Sequence, residues 1–272
     1  MGNLKITKKI DAVSPVMIAG WPGMGSVALG VVDYLRRKLK AVKFAEIPVD
    51  KMLTLDAVLV ENGIAKLQPP PKNTFYYDRQ HNLIIFEGEA QLPGASGIAI
   101  LNEVLGLAEE FRVKRIFTGA AFPLPIRHKE KSDVYGVAND ARLRDIIVKS
   151  GVKLMEGGHI SGLNGLTLGF AAERHIEAIC LLATMPQYAI SIPNPKASAA
   201  IVSTLARILN FDIDQAEMNE EIKDMDERMA AIEEKVKDVF IIENEEPESL
   251  PAEKKIPGYI MEKIEKLFHE AR

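Results

Sequence analysis

Short apolar runs alternate with segments of helical period along the first 210 residues. Pro15–Gly20 is apolar throughout and bounded by turn residues, the pattern of a buried strand. Trp21–Ser26 reads Trp-Pro-Gly-Met-Gly-Ser, a glycine-rich turn, and from Val27 to about Lys40 the positions Val27, Val31, Tyr34, Leu35 and Leu39 share one helical face. Val42–Pro48 is a second strand, and the order strand, turn, helix, strand predicts a parallel pair joined by a right-handed crossover. Asp56–Leu67, Thr74–Asp78 and Leu83–Glu89 are strand-like segments punctuated by Gly63, Pro69–Pro71 and Arg79–Asn82, which predicts antiparallel hairpins joining the sheet. Helices are predicted over Ser96–Phe111, Asn139–Lys149, Leu166–Arg174 and Lys196–Leu209, with strands over Arg115–Ala121, Val152–Met155 and Glu177–Ala183. Strands alternating with helices define an α/β layered domain over 1–210.

Beyond residue 210 the pattern changes. Ile222, Met225, Met229, Ile232, Val236 and Val239 are spaced 3, 4, 3, 4, 3, an apolar seam of about three heptads in an amphipathic helix over 211–240. Residues 241–257 are Glu- and Pro-rich and read as a linker. Ile260, Ile264, Leu267 and Ala271 form a matching seam on a closing helix over 258–272. A helix this short does not hold itself together in water. The first seam therefore packs on the α/β body, on the closing helix or on another subunit, and a homo-oligomer is expected.

The glycine-rich turns carry the candidate chemistry. Gly20, Trp21, Pro22, Gly23, Met24 and Gly25 lie between a strand and a helix N-terminus, where glycine lets a ligand approach and free N–H groups suit an anion. Gly23-x-Gly25-x-x-Ala28 matches a dinucleotide fingerprint, and Glu46 ends the second strand near where a ribose-binding acid is expected. A tight turn that needs glycine accounts for the same residues. In either case Gly23 and Gly25 are expected to hold conformations that a Cβ would strain. A second loop supplies Gly162, Asn164 and Gly165, with Ser161 or Asn164 as helix caps. A third supplies Asn139 and Asp140 at another helix start. If all three helices follow parallel strands, their N-termini gather on one sheet edge, where open α/β sheets bind ligands. Trp21, the single Trp, is expected to report on a ligand bound there.

No pair of the five histidines has metal-site spacing, no serine sits in a nucleophile elbow, and no Walker lysine follows the glycines. No catalytic residue, metal or cofactor is assigned. Cys180 lies mid-strand as core filling, and Arg127–Lys131 reads as a solvated charge run. With 34 basic and 38 acidic residues there is no electrostatic footprint for nucleic acid. A single cysteine fits a reducing compartment, and the absence of a leader or an apolar span predicts a cytoplasmic protein with no membrane partner.

The segment Gly20–Ser26 with its following helix resembles the PAC2 family, the proteasome assembly chaperone 2 group and its bacterial and archaeal relatives, often grouped with the ATP-grasp superfamily. Val134–Asp140 (Val-Tyr-Gly-Val-Ala-Asn-Asp), Ile160–Leu166 (Ile-Ser-Gly-Leu-Asn-Gly-Leu) and Glu177–Leu182 extend the likeness over about residues 15–210. The resemblance implies a nucleoside-phosphorylase-like three-layer sandwich with a mixed, mostly parallel sheet and a C-terminal helical tail. It implies a non-enzymatic assembly chaperone or adaptor with proteasome subunits as partners. The alternative is a nucleotide- or nucleoside-like small-molecule binder or enzyme at the glycine loops. An archaeal relative docks through a C-terminal hydrophobic-Tyr-any-residue tripeptide. This chain ends Glu270-Ala271-Arg272, with its last tyrosine at Tyr259, so docking of that type is not expected.

Overall fold

The computed structural model describes residues 4–49, 57–235 and 258–270. Nine strands form one sheet. They are β1 (Lys5–Ile6), β2 (Val16–Gly20), β3 (Val42–Glu46), β6 (Asn73–Asp78), β7 (Leu83–Gly88), β8 (Arg115–Leu124), β9 (Val134–Ala138), β10 (Lys153–Leu154) and β11 (Ala178–Pro186). Their order is β1-β3-β6-β7-β2-β8-β11-β9-β10. The central strands β7, β2, β8 and β11 are mutually parallel, and antiparallel pairs flank them on both sides. A separate hairpin is made by β4 (Leu59–Glu61) and β5 (Ile64–Lys66).

The central strands are apolar in both alternating registers, so both sheet faces are covered. Met17, Ile84, Phe86, Cys180 and Leu182 point into a cluster under α2 (Gly94–Glu110) and α4 (Gly162–Glu173). Ile18, Ile85, Phe117, Ile179 and Leu181 point the other way, under α1 (Val27–Lys38), α3 (Arg144–Lys149) and α5 (Pro195–Leu209). The result is the expected three-layer α/β sandwich. Cys180 fills the core with no exposure.

Three local expectations are corrected. β3 does not pair with β2, because the β6–β7 hairpin enters between them. Leu83–Phe86 is apolar on both faces and is best buried next to the sheet centre. The third loop, read as Val137–Asp140, begins inside strand β9 (Val134–Ala138), which is antiparallel to β11. Helix α4 begins at Gly162, four residues before the predicted Leu166, so half the second glycine loop is its first turn.

The tail comprises α6 (Ala216–Lys235) and α7 (Gly258–Glu270). Met218 and Ile222 pack on the body, whereas Met229 and Ile232 meet Ile264 and Phe268 of α7 and Tyr188, Ala189 and Ile192 of the β11–α5 connection. The two seams thus meet within one chain, with 22 residues between the described ends of α6 and α7. Val236, Val239, Ala271 and the linker 241–257 lie outside the described residues. No described helix is long and apolar enough to cross a membrane.

Candidate functional site

The first glycine turn sits at the C-terminal ends of the central parallel strands. Gly25 has φ +60°, and its main chain engages the β11–α5 connection. Its N–H donates to Ile190 O at 2.7 Å, and its carbonyl accepts from Asn194 N–H at 2.8 Å. A Cβ there would lie 2.8 Å from Met185 Sδ and 3.3 Å from Asn194 Cβ. Gly25 therefore needs glycine twice, for its left-handed backbone and for the close approach. Gly23 does not, since its φ of −166° is ordinary extended backbone and an added Cβ would have only van der Waals neighbours at 3.8 Å. Gly20 lets α1 close onto the sheet, its Cβ position being 2.6 Å from Ala28 O.

The second loop meets the first through two amides. Asn164 is buried inside α4, where Oδ1 accepts from Trp21 N–H at 3.0 Å and Nδ2 donates to Trp21 O at 3.1 Å. This bidentate clasp, not a cap, is what Asn164 does. Ser161 occupies the N-cap position of α4 without a side-chain cap bond. The cap comes from Gln91, 72 residues earlier in the chain, whose Oε1 accepts from Leu163 N–H at 2.8 Å. Gln91 Nε2 donates to Pro22 O, so one side chain bridges both loops. The sequence carried no local sign of Gln91, because its partners are brought to it only by the sheet.

Between the loops lies a cleft of about 540 Å³, lined by Gly23, Met24, Gln91, Phe122, His159 and Ser161 among others. Part of the predicted set gathers here. Gly162 and Asn164 border it, whereas Gly165 packs against Ile160 O. The Trp21 ring does not line it. The ring is fully buried, 4.9 Å from Phe86, and its Nε1–H, beside Gly88 and Asn73, has no hydrogen-bond partner among the described residues. Asn139 and Asp140 are not brought to this edge. They follow β9, which runs against β11, so they lie at the opposite edge of the sheet. Asn139 Oδ1 accepts from Ala178 N–H at 2.9 Å, tying down the start of β11. Asp140 caps the short helix that follows, accepting from Arg142 N–H at 2.8 Å, and the Arg142 side chain holds its carboxyl down at about 2. Glu46 is also remote. It pairs with Lys43 on β3, three strand spacings or roughly 14 Å from β2. The dinucleotide reading thereby loses its acid.

A second cluster joins the tail to the body. His128 is buried rather than solvated, because α6 covers the loop after β8. Its Nδ1 lies 2.7 Å from Glu233 Oε1, which also accepts from the Tyr188 hydroxyl. Lys196 Nζ donates to His128 O and to Asp226 Oδ1, the latter at 2.8 Å. Burial alone would raise the Glu233 carboxyl, but the Tyr188 and His128 partners hold it below the usual range. Among the described residues no group of three His, Cys, Asp or Glu side chains could hold a metal ion.

Known proteins share this outline. The chain is 26% identical over 238 residues to an uncharacterised protein of Methanocaldococcus jannaschii, covering 82% of this chain and 86% of that one. It resembles the crystal structure of Pyrococcus furiosus PbaB, an archaeal proteasome activator, at 28% identity and a TM-score of 0.71, over 85% of this chain and 98% of that one. The P. furiosus proteasome-assembly chaperone homologue PbaA shares the fold at 20% identity and a TM-score of 0.68, over 87% and 98% of the two chains. The family model described as "PAC2 family" matches residues 17–233, spanning both glycine loops, the clasp between them and most of α6, and the chain belongs to that family.

Proposed function

We propose that this protein is a non-enzymatic assembly chaperone or adaptor that acts in the cytoplasm on proteasome subunits, and that it works as a homo-oligomer. The observation that carries the reading is the likeness to the archaeal proteasome activator, which extends over 98% of that protein. The cleft supports it too. Its best-buried polar groups, Asn164 and Gln91, are engaged in holding the two loops together. Mixing the full-length chain with purified archaeal proteasome core particles and with isolated α subunits tests it by co-sedimentation. Co-migration with either is expected, and independent sedimentation from both overturns the proposal.

A second reading rests on the cleft itself, whose 540 Å³ lies within the range of small-molecule sites. It predicts thermal stabilisation by a nucleoside or nucleotide, about 2.7 kcal/mol at 100 times the dissociation constant. No shift with adenosine, AMP or ATP at millimolar concentration removes it.

A further inference from the structure

Charge is not spread evenly over the chain. The whole carries −4, yet a groove of about 590 Å³ at the β1–β3 margin of the sheet is cationic. The segment Lys8–Asp11 forms one wall, and Lys40, Val42 and the end of β6 with its turn, Tyr77–Gln80, form the rest. Four cationic side chains, Lys8, Lys9, Lys40 and Arg79, meet two carboxylates there, and both carboxylates are engaged. Asp11 Oδ2 lies 2.6 Å from Arg79 Nη2. Asp78 is buried in its own turn, where it accepts from Gln80 N–H at 3.3 Å and from His81 N–H at 3.2 Å. Among the described residues no carboxylate pairs with Lys8, Lys9 or Lys40, and all three are exposed. The main chain adds a second feature. β1 pairs with β3 only at Lys5–Glu46 and Ile6–Ala45, and Thr7 N–H and Lys8 N–H both donate to Phe44 O, at 2.8 and 3.1 Å. The N-terminal segment then leaves the sheet, so among the described residues β3 has no strand beside its outer edge at Val42 and Lys43. Val42, 50% exposed, borders the groove beside its cross-strand neighbour Tyr77.

We infer that this groove is the docking site of an extended acidic peptide of another protein, which runs along the free edge of β3 and sets its carboxylates on Lys8, Lys9 and Lys40. An open strand edge supplies main-chain donors and acceptors for such a peptide, and the side chains beside it supply specificity. Ile10, Val42 and Tyr77 give the groove an apolar lining beside the ammonium groups, which suits acids alternating with apolar residues. The same features disfavour a nucleic acid. A polynucleotide carries charge along its whole length and would run from this short groove onto a surface that is net negative. The groove also offers no open ring for base stacking, since Tyr77 is buried with its hydroxyl bonded to Asn82. This inference is independent of the proteasome reading, because its probe is a synthetic peptide.

Fluorescence anisotropy of a labelled octapeptide alternating Glu and Val, titrated with the full-length chain at about 50 mM salt, is the test. Saturable binding is expected, weakened roughly tenfold or more at about 300 mM salt. Lys8→Glu/Lys40→Glu is expected to weaken it roughly tenfold or more at an unchanged unfolding midpoint, because each reversal removes an attraction and adds a repulsion. Lys72→Glu/Lys149→Glu makes the same change of net charge at exposed residues outside the groove and is expected to bind like the wild type. An octapeptide alternating Glu and Pro has the same charge but lacks every second N–H, and is expected to bind roughly tenfold more weakly. No saturable binding of the Glu-Val peptide overturns the inference. So do equal losses in the two double variants, which would leave the groove lysines as mere guards of an open edge. Glu-Pro binding as tight as Glu-Val, or an octathymidylate that binds more tightly than either peptide, overturns it as well. Failure to bind the proteasome beside intact peptide binding leaves it standing and removes only the proposal above.

Discussion

Replacing Gly25 with alanine separates the two glycines that the sequence treats alike. The left-handed backbone at φ +60° costs an L-residue about 1–2 kcal/mol. The new methyl would also sit 2.8 Å from Met185 Sδ and 2.9 Å from its Cε. That thioether end is flexible, so its displacement falls at the low end of overpacking costs, about 1 kcal/mol. Gly25→Ala is therefore expected to destabilise the protein by about 2–3 kcal/mol, a large share of the 5–15 kcal/mol typical of a folded chain. Gly23→Ala meets only van der Waals neighbours on extended backbone and should stay within about 0.5 kcal/mol of wild type. Urea unfolding followed by emission of the buried Trp21 measures both variants. The denaturant slope serves as the check that the unfolded state is unchanged. If the two variants unfold within about 0.5 kcal/mol of each other, neither the left-handed backbone nor the Met185 contact makes glycine necessary at position 25.

Asn164→Ala removes a buried clasp and leaves Trp21 N–H and O unpaired, so it should cost about 2–4 kcal/mol, whereas the half-buried Gln91→Ala should cost about 1 kcal/mol through loss of the α4 cap; urea midpoints rank them. The folded Glu233 carboxyl is held low, so its contribution is present above the ordinary Glu range and lost as pH falls through the folded value; protease cleavage in α6 and α7 should rise as pH drops from 6 to 3, and a pH-independent cleavage rate would contradict this. Burial pushes the Cys180 thiol up to about 12, so a thiol reagent at pH 8 should react only at the rate of unfolding, and immediate labelling of the native protein would refute its placement.

The alternation of apolar strands with helical periods determined the layered α/β architecture without help from tertiary contacts. A segment such as Ile179–Leu182 is apolar in both registers and has no stable place except between two helical layers. The glycines marked where the chain turns, because the demand for φ > 0 is local, as Gly25 shows. What the sequence left undetermined is long-range. Strand order depended on competition among strands of similar apolarity, and Leu83–Phe86 took the place beside β2 that the crossover rule gave to β3. That choice moved Glu46 away from the glycine turn, and the antiparallel course of β9 carried Asn139 and Asp140 to the far edge. The Gln91 bridge and the Asn164 clasp join residues 72 and 143 positions apart, so no periodicity or local spacing encodes them. The same holds for the tail. Its seams were legible as apolar stripes, but only the packed chain decided that Met229 and Ile232 meet Ile264 and Phe268, because a stripe specifies that a partner is required and not which one.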